Sequence, residues 1–289
     1  MFQFFANIFG YLLNIINNFV GNYGLAIILF TLIIKAVMIP FSIKQQRTMK
    51  KSAKIQEEVK VLQFKYKNDP EKLNREMIEL YKKEKMSPFS GCLSAIAQFI
   101  LLISIFYMVR FPLTYMKKID KVQLDTYVQQ MKNDEMSVSE AYSEIDIVRE
   151  INYLKDKFPE DENLNKINLN MDFFGLDLSK IPQQNLEDWT VFIIPILYII
   201  STFISIRITT SMQSKTSKKD DVIEVKDNKE DKNEMEDAMA QSNKMMSWMM
   251  PIMSISISLV APLGLALYWL VNNILMIFER LIFNKVVKD

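Results

Sequence analysis

The chain has 289 residues, of which 49% are hydrophobic and 24% charged, and its 35 Lys and Arg nearly balance its 34 Asp and Glu. It contains no histidine, which excludes imidazole bases, His-ligated metals and His-assisted nucleophiles. The single cysteine, Cys92, can form neither an internal disulfide nor a Cys-rich metal site; among Gly91, Leu93 and Ser94 it reads as a small packing residue. No catalytic residue, metal or cofactor is expected.

The near-zero average hides a strongly uneven distribution, because apolar residues come in long blocks separated by charged stretches. Lys35 is the only charge in the first forty residues, so the cationic start of a cleavable signal peptide is missing. Phe2, Phe5, Phe9, Leu12, Ile16 and Phe19 recur at helical spacing, with Asn7, Asn14, Asn17 and Asn18 gathered toward the other side. Residues 1–23 are therefore expected to hold an external amphipathic helix lying in the membrane interface, broken from the first span by Gly21-Asn22-Tyr23-Gly24. An extra span is the alternative.

A bilayer core of about 30 Å requires about 20 mostly apolar residues in a helix, since every backbone polar group must be paired internally. Residues 24–41, 88–110 and 189–207 meet this demand, and 244–283 holds two further spans as a hairpin around Ala261-Pro262-Leu263-Gly264. The expected fold is all-α: a polytopic membrane protein with five transmembrane helices, a cytoplasmic antiparallel helical hairpin and the N-terminal interfacial helix.

Residues 42–87 carry thirteen basic and seven acidic residues, which places them in the cytoplasm. Within them Ile55, Val59, Leu62 and Tyr66, then Leu73, Met77 and Leu80, repeat at helical spacing on either side of Asn68-Asp69-Pro70. Asp69 suits an N-cap and Pro70 the first helical position, so an apolar-seamed hairpin is expected. Its outer faces are basic, with Lys50, Lys51, Lys54, Lys60, Lys65, Lys82 and Lys83 as the candidate docking residues. Residues 111–188 hold nine basic and sixteen acidic residues and belong outside, with one small helix expected after the capping-box pair Ser137 and Glu140. Residues 208–243 read as a flexible cytoplasmic loop and 284–289 as a short cytoplasmic tail, giving an outside N-terminus and a cytoplasmic C-terminus. No internal repeat is present, which argues against a repeat-built transporter.

Lys35 is the most informative position. A charge at the centre of a spanning helix costs about 2.5–3.5 kcal/mol on insertion scales and calls for an explanation. Snorkelling to the inner interface is one. The other is a wet cavity, for which Gln98 on the second span, Ser201, Thr202 and Ser205 on the third, and Asn272 and Asn273 on the fifth supply polar company. Each alone reads as interhelical glue; together with a solitary lysine they are candidates to line a groove open sideways to lipid, where a cation would attract carboxylates far more strongly than in bulk water. Met235, Met239, Met245, Met246, Met249, Met250 and Met253 cluster near the fourth span, suited to packing or to varied apolar partners.

Several motifs, in order, resemble the YidC/Oxa/Alb membrane-protein insertases. They are Gly21-Asn22-Tyr23-Gly24, Thr31-Leu32-Ile33-Ile34-Lys35 with Ile39-Pro40, Glu76-Met77 with Leu80-Tyr81, and Pro88, Gly91-Cys92 and Gln98. Further along the chain come Phe173-Phe174-Gly175-Leu176-Asp177-Leu178, Met249-Met250-Pro251 and Pro262-Leu263-Gly264-Leu265-Ala266-Leu267-Tyr268-Trp269. The resemblance implies a bacterial plasma-membrane insertase and chaperone that works without an energy source, through a lipid-open hydrophilic groove faced by Lys35, Gln98 and Trp269. It further implies a hairpin that helps receive nascent membrane proteins, alone or with the Sec translocon and ribosome, and no sequence-specific nucleic-acid partner. Lys35 stands where many members carry arginine, which keeps the charge but loses the planar fork. The outer loop is longer than the family pattern, while the large periplasmic domain of Gram-negative forms, the lipoprotein cysteine of some Gram-positive forms and a basic C-terminal extension are missing.

Other classes compete. A small channel or transporter would pair intramembrane acids with bases, and no expected core contains Asp or Glu before Glu279. An intramembrane hydrolase lacks its elbow and its base. A structural assembly factor would share every feature named here.

Overall fold

A computed structural model describes residues 2–67, 69–85, 90–217 and 252–286. The methionine cluster up to Met250, most of the loop 208–243, and the first part of the expected fourth span lie outside them. Helix α1 runs Phe2–Val20, α2 Tyr23–Lys65, α3 Pro70–Lys83 and α4 Ser90–Arg110. After a π-helical turn at Leu113–Lys117 come α5 Lys121–Asn133, α6 Ser143–Arg149, α7 Ile151–Lys157 and α8 Glu162–Lys166. The strands β1 Asp172–Phe173 and β2 Leu176–Asp177 form an antiparallel pair, followed by α9 Ile193–Ser217, a helical segment α10 at 252–260, and α11 Leu263–Val286.

Three stretches of the described residues are long and apolar enough to cross a membrane: Tyr23–Thr48, Trp189–Ile208 and Leu263–Ile282. Of the expected second span, Phe99–Arg110 forms a shorter apolar helix among the described residues. The helices keep large apolar side chains on their outer faces, such as Leu29 and Leu32 on α2 and Leu197, Ile200 and Phe203 on α9. Water would not tolerate so many; hydrocarbon demands them.

Pro40 does not end α2, which continues for 43 residues from the first span into the first arm of the basic region. A proline removes one helical hydrogen bond, a loss that apolar helices tolerate better than exposed ones. The seam Ile55, Val59 and Leu80 is buried, with Leu62, Met77 and Tyr81 packed on it. Asp69 caps α3 by accepting from the Lys72 N–H at 3.0 Å, and Pro70 is the first helical residue. The two arms run antiparallel: Lys51 meets Glu84 at one end, Tyr66 donates to Glu76 at the other.

Helix α1 differs from expectation in its faces. Ala6, Phe9, Leu13, Ile16 and Asn17 are buried against α4, α2 and the π-helical turn, while Phe4, Tyr11 and Phe19 point outward. Asn17 turns inward because its amide donates to the Asn168 carbonyl at 3.2 Å. The exposed face therefore carries aromatic side chains beside Asn7 and Asn18, while Asn17 lies on the buried face.

The segment 111–188 contains four helices and a strand pair instead of one small helix. The Ser137/Glu140 capping box does not form: α6 starts at Ser143 without a side-chain cap, because Asp146 accepts the Ser139 N–H at 2.7 Å and pulls the preceding turn inward. Glu144 is buried and its carboxylate accepts from the Leu113 and Thr114 N–H groups at 2.7 and 3.0 Å and from the Thr114 hydroxyl at 2.5 Å. Burial pushes its pKa up, against the opposing pull of those three donors. Asp134 moves the other way: bonds from Tyr153, Gln130 and Lys157 hold it down at about 2.

A depressed carboxylate stabilises the fold above its unfolded pKa and loses that contribution as pH falls through the folded value. Asp134→Asn is thus expected to melt below wild type at pH 6, to lose most of that difference as pH falls toward 2, where Asp134 is half protonated, and to match wild type only below it. Thermal melts across that window check this.

Candidate functional site

Three of the sequence motifs meet at one end of the bundle. Gly21 closes α1 with φ +71°, a left-handed conformation that favours glycine, and its N–H donates to the Asn17 carbonyl at 2.7 Å. Asn22 caps α2 through the Leu25 N–H at 3.0 Å while its own amide donates to the Asp172 carbonyl at 2.6 Å. Gly24 leaves room for the Phe173 ring, which a Cβ there would strike. The strand pair turns at Phe174 and Gly175, both at positive φ. The chain beyond it accepts from α11: the Gly264 N–H donates to the Leu178 carbonyl at 2.9 Å and the Leu263 N–H to the Lys180 carbonyl at 3.0 Å. One short segment thus ties the first turns of α2 and α11 together.

From this shared end, Lys35 lies twelve residues along α2, about 18 Å, and Glu279 sixteen residues along α11, about 24 Å. Both are in the far half of a 30 Å apolar layer. There the Lys35 Nζ lies 3.3 Å from Glu279 Oε2, with side chains 21% and 16% exposed. The ammonium is therefore paired, not solitary. Sequence reading noted Glu279 only as the first acid of the last span; the adjacent Glu279-Arg280 inside an apolar run was the available signal.

The polar candidates on α9 and α11 form an interhelical ladder. Asn273 donates to Ser201 Oγ at 2.9 Å and Thr202 Oγ1 at 3.1 Å, and both hydroxyls donate to the Tyr198 carbonyl at 2.8 Å. The Tyr198 hydroxyl continues to Ser254 on α10 at 2.9 Å, and its ring lies 6.1 Å from that of Trp269. Ser201, Thr202, Trp269 and Asn273 are all buried, so they join helices as glue. Ser205, also buried, accepts from Arg280 at 3.4 Å. Asn272 is half-buried and outside the ladder. Gln98 lies on α4, with its side chain outside the described residues.

Asn273→Leu is expected to cost about 1 kcal/mol, the scale of an interhelical polar contact in a membrane. A thermal melt in detergent, compared with wild type, checks it.

On the basic arms, Lys54, Lys65, Lys82 and Lys83 are exposed, whereas Lys51 is engaged with Glu84 at 3.5 Å. Lys65 also lies 5.1 Å above the Tyr66 ring. The side chains of Lys50 and Lys60 lie outside the described residues. No group of three or more acidic or thiol side chains suited to a metal occurs among the described residues.

The apolar helices agree with what comparisons against known proteins show. The family model of the 60Kd inner membrane protein matches residues 15–289. The chain belongs to this family.

Among curated relatives of this 60Kd family member, a membrane protein insertase YidC of Caldanaerobacter subterraneus subsp. tengcongensis is 46% identical over 101 residues, 35% of this chain and 49% of that protein. A membrane protein insertase YidC of Francisella tularensis subsp. novicida is 44% identical over 108 residues, 37% of this chain and 20% of that protein. The match spans about half the length of the first relative and a fifth of the second.

Proposed function

We propose that this 60Kd family member is a membrane protein insertase and chaperone of the bacterial plasma membrane, passing nascent chains into lipid through a sideways-open hydrophilic groove. The observation that carries this reading is the Lys35–Glu279 pair, held partly exposed in the far half of otherwise apolar helices. A pair that merely tied helices together would be better sealed; this one keeps access to polar groups in a setting where charge acts strongly. The names of the relatives support the same class. Lys35 and Gln98 mark the groove, with Ser205 and Asn272 at its margins, and Ser201, Thr202, Trp269 and Asn273 fix the helices that wall it.

The orientation rests on charge: the basic arms of α2 and α3 lie in the cytoplasm, and the acidic segment 111–188 lies outside. The N-terminus is then outside and the C-terminus cytoplasmic, with five spans in all. The exposed lysines of the arms form a docking surface for nascent chains and ribosomes, and the Sec translocon is a second partner.

Purified protein in liposomes is expected to insert a short single-span substrate above the level of protein-free vesicles. Insertion equal to empty vesicles contradicts the reading. Deleting residues 50–83 should leave a folded bundle that inserts the same substrate poorly, because the receiving arms are gone; full insertion would remove their docking role.

One observation favours a second reading. The pair supplies an acid–base couple of the kind a small channel or transporter uses. Ion conductance across a planar bilayer, lost in Lys35→Gln, would select it.

A further inference from the structure

We propose that Glu279 is an internal stand-in for the substrate's carboxylate. It holds the Lys35 ammonium while the site is empty, gives it up to an acidic tail, and thereby sets how strongly the protein favours acidic over neutral tails. This rests on the proposed insertase function.

Three features of the pair carry the inference. The contact is single, from Nζ to Oε2 at 3.3 Å, longer than the roughly 2.7–2.9 Å of an optimal charge-assisted bond. Both side chains keep a part of their surface open, so another carboxylate can reach the ammonium without first unpacking the helices. The cation is a lysine, whose ammonium is a point charge with three donors. It can engage a second carboxylate before releasing the first, whereas a guanidinium locked in a fork would have to break a two-point contact.

Each partner has a reason to need the other. A bare ammonium at this depth is costly, and so is a bare carboxylate. Mutual pairing lets both be present in the empty protein. The same pairing raises the threshold for an incoming acid, because Glu279 competes as a tethered ligand at high effective concentration. A neutral tail does not contest the pair and gains nothing from the ammonium. Glu279 therefore lowers the discrimination that Lys35 alone would exert.

The test uses the whole chain in liposomes and two single-span substrates that differ only in the translocated tail, one with aspartates and one with asparagines in their place. The readout is the ratio of acidic-tail to neutral-tail insertion, in which a general loss of folded protein cancels. Glu279→Gln is expected to raise this ratio about fivefold, the scale of a partly exposed ion pair. Lys35→Gln should bring the ratio to one or below, because Glu279 then repels an acidic tail, and the double variant Lys35→Gln/Glu279→Gln should return it close to one. Should Glu279→Gln fold poorly, Glu279→Asp draws the carboxylate back by one methylene and should raise the ratio by a smaller factor.

A ratio in either Glu279 variant equal to or below that of wild type overturns the proposal. If wild type inserts neither substrate above empty vesicles, the insertase reading falls and this inference with it. If wild type inserts both while the Glu279 variants leave the ratio unmoved, only the role of Glu279 is lost.

Discussion

Lys35→Glu is expected to suppress insertion of acidic-tailed substrates by roughly 30- to 150-fold, equivalent to a loss on the order of 2–3 kcal/mol. The cause is twofold. The site loses its cation, and two carboxylates then face each other where one ion pair stood at 3.3 Å, with the original side chains only 21% and 16% exposed. Like charges in that setting repel with little screening. The figure lies below that for a fully buried pair because neither side chain is fully enclosed by protein. Lys35→Arg keeps the charge opposite Glu279 and is expected to retain insertion. Insertion assays in liposomes with matched protein levels separate these outcomes, and a Lys35→Glu protein as active as wild type would remove the electrostatic mechanism.

The second large effect lies far from that pair. Glu144→Ala is expected to destabilise the segment 111–188 by about 3–5 kcal/mol, because a buried acceptor disappears and leaves two backbone N–H groups of the π-helical turn unsatisfied. Glu144→Gln keeps an oxygen for the Leu113 and Thr114 N–H groups and should cost less than half as much. The contrast separates hydrogen-bond geometry from charge: equal losses in both variants would mean the charge dominates. Denaturant titration in detergent, followed by proteolysis of residues 111–188, reads the difference.

The same two sites show which parts of the structure were legible in the sequence. The length of the apolar runs located the spans beginning at Tyr23, Trp189 and Leu263, and periodicity located the seam of Ile55, Val59 and Leu80, because a helix places residues three and four apart on one face whatever else surrounds it. Asp69 and Pro70 announced the start of α3 because capping is decided by neighbours within one turn. Glu144 was not legible. In sequence it is one acid among sixteen in a charged loop, and its partners Leu113 and Thr114 lie about thirty residues earlier. Nor was the pairing of Lys35 with Glu279, separated by 244 positions. Ser201, Thr202 and Asn273 on α9 and α11 were visible as polar residues on apolar helices. Only the distances 2.9 and 3.1 Å from Asn273 assign them to a joint between helices.

The segment that binds the first turns of α2 and α11 to each other has a mechanical consequence. Two rods pinned at one end can separate only at the other, as the jaws of a peg do. Swinging α11 by about 10° around that fastening would move Glu279, about 24 Å away, by roughly 4 Å, while Gly264 stays in place. The displacement grows with distance along α11, is already large where the opposite charges meet, and vanishes at the fastened end. A passage between these helices would accordingly widen from the basic side inward and keep its far end shut.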